Sequence, residues 1–147
     1  MVSRGGSDIR TVIDTNILFA GMYSSTGASF QVIQAILKKQ VQPVMSVPLL
    51  FEYEDVLKRN SRKPVLTYAD IDALLDILCV LCSLQKIHYL WRPFLSDPKD
   101  DHVLELAVAS GVTTITSFNH RDFKGVEEFG VIILSPKELL EEIKWVL

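Results

Sequence analysis

Cysteine is scarce in this chain: its 147 residues include two, Cys79 and Cys82. Their CxxC spacing resembles a redox motif or zinc half-site, but no second CxxC and no histidine pair completes a tetrahedral cage. Both fall inside the apolar run Ile77-Leu78-Cys79-Val80-Leu81-Cys82 and read as two buried helix thiols. Basic charge is not in excess either, since 15 Lys and Arg stand against 18 Asp and Glu for a formal net charge of −3. Nucleic acid is therefore not attracted by the molecule as a whole, and any such binding rests on a local basic patch. Long apolar runs are missing: Leu74–Leu84, broken by Asp76, falls short of the roughly 20 residues that span a bilayer. The amino terminus shows no basic segment leading into a signal-type core, and Ser3-Arg4-Gly5-Gly6-Ser7 has linker composition. Residues 1–9 are expected to be a flexible tail, and the whole a soluble, cytoplasmic protein with no membrane association. Repeats and low-complexity blocks are absent as well.

What is present is a hydrophobic content of 48%, sufficient for one compact domain over residues 10–147. Val12-Ile13 forms the core of a first strand. Thr26 to Lys39 has apolar positions at Phe30, Ile33, Ile36 and Leu37, a helical period. Gln42–Val47 reads as a second strand, and Pro48 opens a helix that runs to Arg59. Thr67-x-x-Asp70 is a capping box for a helix through Cys82, and Leu84–Tyr89 is a third strand. Asp97 as N-cap, Pro98 at the first position and Asp100 at the third open a helix that stops at Gly111. Val112–Thr116 and Val131–Leu134 are two more strands, and Ser135-Pro136-Lys137-Glu138 opens a terminal helix. Five strands interleaved with helices imply a three-layer α/β/α sandwich around a five-stranded parallel sheet, because parallel strands need crossover connections. Ligands of such sheets bind beyond the strands' carboxyl ends where the strand order reverses.

The acids fall where that matters. Asp14 ends the first strand, close to the core, where an unpaired carboxylate would cost several kcal/mol. Asn16 either caps the next turn or orients a water or metal ligand. Glu52, Asp100, Asp101 and Asp122 each have an ordinary reading as helix, first-turn or loop residues. Should Asp14, Glu52 and Asp100 meet within about 4 Å, each pair repels by roughly 4 kcal/mol at an effective dielectric of 20. Protons or a cation must then neutralise them, and oxygen ligands without His or Cys select Mg²⁺ or Mn²⁺. Such an ion suits phosphodiester hydrolysis.

Four stretches carry a family resemblance: Ile13-Asp14-Thr15-Asn16-Ile17-Leu18; Leu49 to Leu57 around Glu52; Asp97-Pro98-Lys99-Asp100-Asp101 leading to Ala107-Val108-Ala109; and Thr116-Ser117-Phe118-Asn119-His120-Arg121-Asp122-Phe123. In this order, over about Arg10 to Glu142, they resemble the PIN domain, in the branch of VapC-like toxin ribonucleases from type II toxin–antitoxin pairs. The resemblance implies a PIN-like α/β/α fold and a Mg²⁺- or Mn²⁺-dependent endoribonuclease. Asp14, Glu52 and Asp100 match the first three family acids, with Asp101 the rival for the third. Asn119 stands where many members carry the fourth acid, so Asp122 would have to supply that charge. Catalysis is thus expected from Asp14, Glu52, Asp100 and Asp122, and metal binding from Asp14, Asp100 and Asp101. Thr15, Asn16, Ser117 and Asn119 are expected to position substrate.

Lys63, Arg62, Lys99 and Arg121 are candidate contacts to RNA phosphates, the substrate being single-stranded or tRNA-like RNA. Lys58, Arg59, Arg92 and Lys124 widen that basic set, and Phe118 and Tyr23 are candidate stacking platforms. The toxin branch further implies a cognate antitoxin and a homodimer, with Phe51, Tyr53, Trp91 and Trp145 as candidate interface aromatics. A rival from another class is a non-catalytic PIN-like module that binds RNA or protein without cutting it.

Overall fold

The computed structural model describes residues 9–62, 65–86 and 100–146. Within them the chain alternates between strands and helices: β1 (Arg10–Ile13), α1 (Thr15–Tyr23), α2 (Ala28–Leu37), β2 (Gln42–Met45), α3 (Val47–Arg59), α4 (Tyr68–Leu81) and β3 (Ser83–Leu84). After them come α5 (Asp101–Ser110), β4 (Thr114–Thr116), one-turn helices at His120–Phe123 and Val126–Phe129, β5 (Ile132–Leu134) and α6 (Pro136–Val146).

The five strands form one sheet in the order β3-β2-β1-β4-β5, every neighbouring pair parallel. Central strands of a parallel sheet are covered on both faces and therefore apolar throughout. Val12, Val44 and Ile115 accordingly lie side by side with no exposed surface. Right-handed crossovers place the helices between β1 and β3 on one face, and α5, which returns the chain from β3 to β4, on the other. Consistent with that arrangement, α1 packs on α2, α2 on α6 and α3 on α4, while α5 lies against β1, β2 and β4. The result is the three-layer sandwich expected from the sequence.

Helix ends follow the local chemistry. Thr67 and Asp70 exchange side-chain and backbone hydrogen bonds in a complete capping box, and Ser135 and Glu138 do the same ahead of α6. Gly111 ends α5 at a φ of 72°, a left-handed conformation that strains residues with a Cβ.

Sequence and structure part company at several points. Helix α1 has no counterpart among the expected elements: Thr-Asn-Ile-Leu-Phe-Ala-Gly-Met-Tyr is almost wholly apolar and interrupted by Gly21, so no polar face marks its period. Cys79 is exposed and Cys82 half-buried, because α4 turns Ile71, Leu74, Leu75 and Leu78 inward and leaves Cys79 at the edge of that face. Strand β3 begins at Ser83, one residue early. Residues 87–89 of the expected strand, the Asp97-Pro98 helix start and the tail at 1–8 lie outside the described residues.

Candidate active site

Strands β1 and β4 are neighbours whose following connections leave in opposite directions, which makes the crevice above them the switch point of the sheet. Asp14 stands at that point. Its backbone N–H donates to Thr116 O at 2.9 Å, and its carboxylate caps α1 by accepting from the Thr15 N–H at 2.9 Å through Oδ1. Oδ2 accepts from the Ser117 hydroxyl at 2.6 Å. Burial pushes the Asp14 pKa above its usual 3.8; the Ser117 and Thr15 hydrogen bonds oppose that, and the charges of Glu52 and Asp122 add to it. Asp14, Glu52 and Asp122 therefore share one electrostatic neighbourhood despite their separation in sequence.

Glu52 projects from the first half of α3, a helix started by Ser46, whose hydroxyl accepts from Leu49 N–H at 3.2 Å. One Glu52 oxygen accepts from the Thr15 hydroxyl and the other faces His102 Nε2 at 2.9 Å. Burial would raise the Glu52 pKa, but the hydrogen bonds from His102 and Thr15 and the His102 charge prevail and hold it below 4.5. His102 responds in the opposite sense. Burial opposes its protonation, and Glu52, followed by Asp100 and Glu105, nevertheless lifts its pKa above 6.5. The ring interacts through Nε2, since Nδ1 is buried with no hydrogen-bond partner among the described residues.

Next to Glu52, the buried Tyr53 donates its hydroxyl to Ile13 O at 2.6 Å. That bond ties α3 to the end of β1 one residue before Asp14. Burial, with smaller effects from Asp14 and Glu52, pushes the phenol well above 10. Tyr53 is thus a core residue, whereas Phe51 on the same helix is 63% exposed.

Asp100 occupies the N-cap position of α5 and Asp101 the next residue, buried. Asp100 reaches the network through its effect on His102. Thr15 and Ser117 are both buried, and their hydroxyls serve the carboxylates of Glu52 and Asp14. Ser117 Oγ also accepts from the backbone N–H of Asn119 at 3.0 Å, which sets the course of the loop that leads to Asp122. Asn16 Oδ1 is buried without a hydrogen-bond partner among the described residues.

The basic candidates divide. Arg121 is exposed on the one-turn helix that carries Asp122. Arg62 is held at the other end of α1: its N–H donates at 2.9 Å to the hydroxyl of Tyr23, the last residue of the helix that Thr15 begins. Tyr23 packs on Phe19 with ring centroids 5.0 Å apart and the rings tilted by 52°, and it donates to Asn60 O, so it anchors the 60–62 loop and is not free to stack on a base. Lys58 pairs with Glu54 and Asp72, and Arg59 with Asp55, which commits both to neighbouring acids. Lys63, Lys99, Arg92 and Trp91 lie outside the described residues.

Tyr53 was not legible as a site residue, and His102 was legible only as a neighbour of Asp100 and Asp101, not as the partner of Glu52. For His102 a weak signal existed, its place two residues after Asp100 at a helix start. Tyr53 adjoins Glu52, but nothing in the sequence shows that its hydroxyl reaches β1.

Comparison with known proteins agrees with this architecture. The family model described as the PIN domain matches residues 10–121, and the chain belongs to that family. PIN domains are generally nucleases and typically use divalent metals. Nine chains of solved structures match. One belongs to the crystal structure of VapBC2 from Rickettsia felis bound to a DNA fragment from their promoter, with a TM-score of 0.60 and 15% identity over 86% of this chain and 98% of that one. That likeness is one of fold. No curated protein sequence matches.

Proposed function

We propose that the protein is a metal-dependent endoribonuclease that hydrolyses RNA phosphodiester bonds, the toxin of a toxin–antitoxin pair acting in the cytoplasm. The observation that carries this reading is Asp14, buried at the switch point with its pKa raised and with Glu52 and Asp122 acting on it. A carboxylate buried beside two others is poorly compensated by protein alone and suited to a cation. Among the described residues no three His, Cys, Asp or Glu side chains close around a single ion. The fit is therefore to Mg²⁺ or Mn²⁺ holding one or two carboxylates and several waters, not to a closed all-protein cage. Asp14, with Asp100 or Asp101 at the start of α5, would hold it, and Asn16 Oδ1, buried without a hydrogen-bond partner among the described residues, is an acceptor for a metal-bound water. Bound there, such an ion would lower the pKa of a water and polarise the phosphate.

The chain's own groups do the rest. Ser117 and the Thr15 N–H fix both Asp14 oxygens in place. Thr15 and His102 hold Glu52 ionised, ready to orient or accept a proton from an attacking water. Asp122 adds the charge that Asn119 lacks, and Asn119 and Arg121 face substrate. Lys63, Lys99 and Arg62 remain proposed phosphate contacts.

The test is cleavage of a short single-stranded RNA in Mn²⁺ by the native chain and by Asp14→Asn. Cleavage by the native chain, with a loss of at least about 100-fold in the variant, supports the reading; equal cleavage by both overturns it. One observation favours a binding module instead: the uncharged, exposed Asn119 at the fourth family position.

A cognate antitoxin and a homodimer are the proposed partners. Val47, Phe51, Tyr68 and Val80 expose 51%, 63%, 47% and 82% of their surface on α3 and α4, and these two helices pack on each other.

A further inference from the structure

Beside the acidic crevice lies a second hollow of about 370 Å³, formed by the two one-turn helices and β5. Ile132, 54% exposed, and the half-buried Ile133 supply its apolar surface, and Phe123, Val126 and Val131, each 1% exposed, back that floor with core. Its rim carries Arg121, Lys124, His120 and Glu127. His120 Nε2 lies 3.8 Å from Glu138 Oε1. No ion pair among the described residues engages Arg121 or Lys124, in contrast to Lys58 and Arg59. Two fixed positive charges against Glu127 leave the rim net positive in a chain that is acidic as a whole.

The hollow is mechanically joined to the acidic crevice. Asp14 accepts from Ser117, Ser117 accepts from the Asn119 N–H, and Asn119 leads directly into the turn His120–Phe123. Asp122 in that turn acts on Asp14, while its neighbours Arg121 and Phe123 line the hollow. A four-residue turn of this kind is about 8 Å long, so one strand of nucleic acid can lie across both depressions.

We infer that this hollow seats the nucleotide adjacent to the scissile phosphate, its base against the apolar floor and its phosphate between Arg121 and Lys124. An apolar floor with a cationic rim complements a nucleotide: the planar base loses water, and the phosphate finds a planar guanidinium and an ammonium. Glu127 offers an acceptor for a sugar hydroxyl or a base amino group. The inference rests on the ribonuclease reading, and its test is separable from it.

In an Asp14→Asn background, which leaves RNA uncut, the affinity for a fluorescein-labelled hexameric single-stranded RNA is measured by anisotropy across a salt series. Arg121→Ala with Lys124→Ala is expected to weaken binding about tenfold and to flatten the log–log salt slope by roughly 1.4, two phosphates on a single strand. The charge-preserving pair Arg121→Lys with Lys124→Arg is expected to recover most of the affinity, which separates lost phosphate contacts from misfolding. An abasic strand of the same length is expected to bind several-fold more weakly than RNA. Unchanged affinity and slope in the double alanine variant overturns the phosphate seat, and equal binding of the abasic strand overturns the base pocket. Failure of the nuclease reading would appear elsewhere, as undiminished cleavage by Asp14→Asn alone.

Discussion

At Asp14 one carboxylate caps a helix, accepts a serine hydroxyl and faces two other acids. A carboxyl whose folded-state pKa lies above its unfolded value of 3.8 favours folding most below that value, and the contribution is lost as pH rises through the folded pKa. Asp14→Asn keeps the shape, still accepts from Thr15 and removes the charge. In chelator at pH 7 it is expected to raise the thermal midpoint, with a gain that shrinks towards pH 3.5. A midpoint unchanged or lowered at pH 7 would contradict the assigned burial. His102 acts on the same network from the other side, through the Nε2–Glu52 contact at 2.9 Å. Its side chain and that of Glu52 are 20% and 30% exposed, so His102→Ala is expected to cost about 1–2 kcal/mol in urea unfolding and to lower cleavage as Glu52 loses its orientation.

At the scale of elements, the site depends on how α1 and α3 meet the sheet. Tyr53 joins α3 to β1 by a buried hydrogen bond, and Tyr53→Phe is expected to cost about 1–3 kcal/mol, because Ile13 O then loses a partner in a dry place. Gly21 shows why α1 can approach α2: a Cβ there would meet Ile33 Cδ1 at 2.5 Å and the Ser29 carbonyl oxygen at 2.9 Å. Gly21→Ala is expected to destabilise by about 1–3 kcal/mol despite alanine's better helix propensity. The opposite sign in a denaturant titration would show that the two helices move apart without cost.

The capping boxes at Thr67 and Ser135 are local events, complete within four residues, and both were readable from the chain. Helix α1 was not, because burial on several sides erases the polar stripe by which amphipathic helices are recognised. For the same reason the thiols were misplaced: in the run Ile77 to Cys82 all residues are apolar, and the face that turns inward is chosen by the partner helix. Among the acids, Asp14 stood out by its apolar strand. Its grouping with Glu52 and Asp122 was an expectation from the family resemblance, whereas the contact of His102 with Glu52 needed the third dimension.

For the molecule as a whole, the apolar surface on α3 and α4 bears on assembly. Val80 is 82% exposed and Phe51 63%, an arrangement that soluble monomers generally avoid when such residues are contiguous. Phe51→Glu with Val80→Asp is expected to convert a dimer to a monomer in sedimentation equilibrium without changing the circular dichroism spectrum. A native chain that sediments as a monomer at about 100 μM would remove the homodimer from the proposal.

Apart from α1, the alternation of strands and helices, the parallel pairing and the position of Asp14 at a strand end follow from the chain alone, because apolar period, cap residues and crossover length are local or one-dimensional properties. The tertiary structure decided which side chains share a crevice. The contact of His102 with Glu52, the pairing of Lys58 on α3 with Asp72 on α4, and the hollow beside Arg121 depend on distances across the fold. Those distances are set by the packing of helices on the sheet, which no spacing along a single chain encodes.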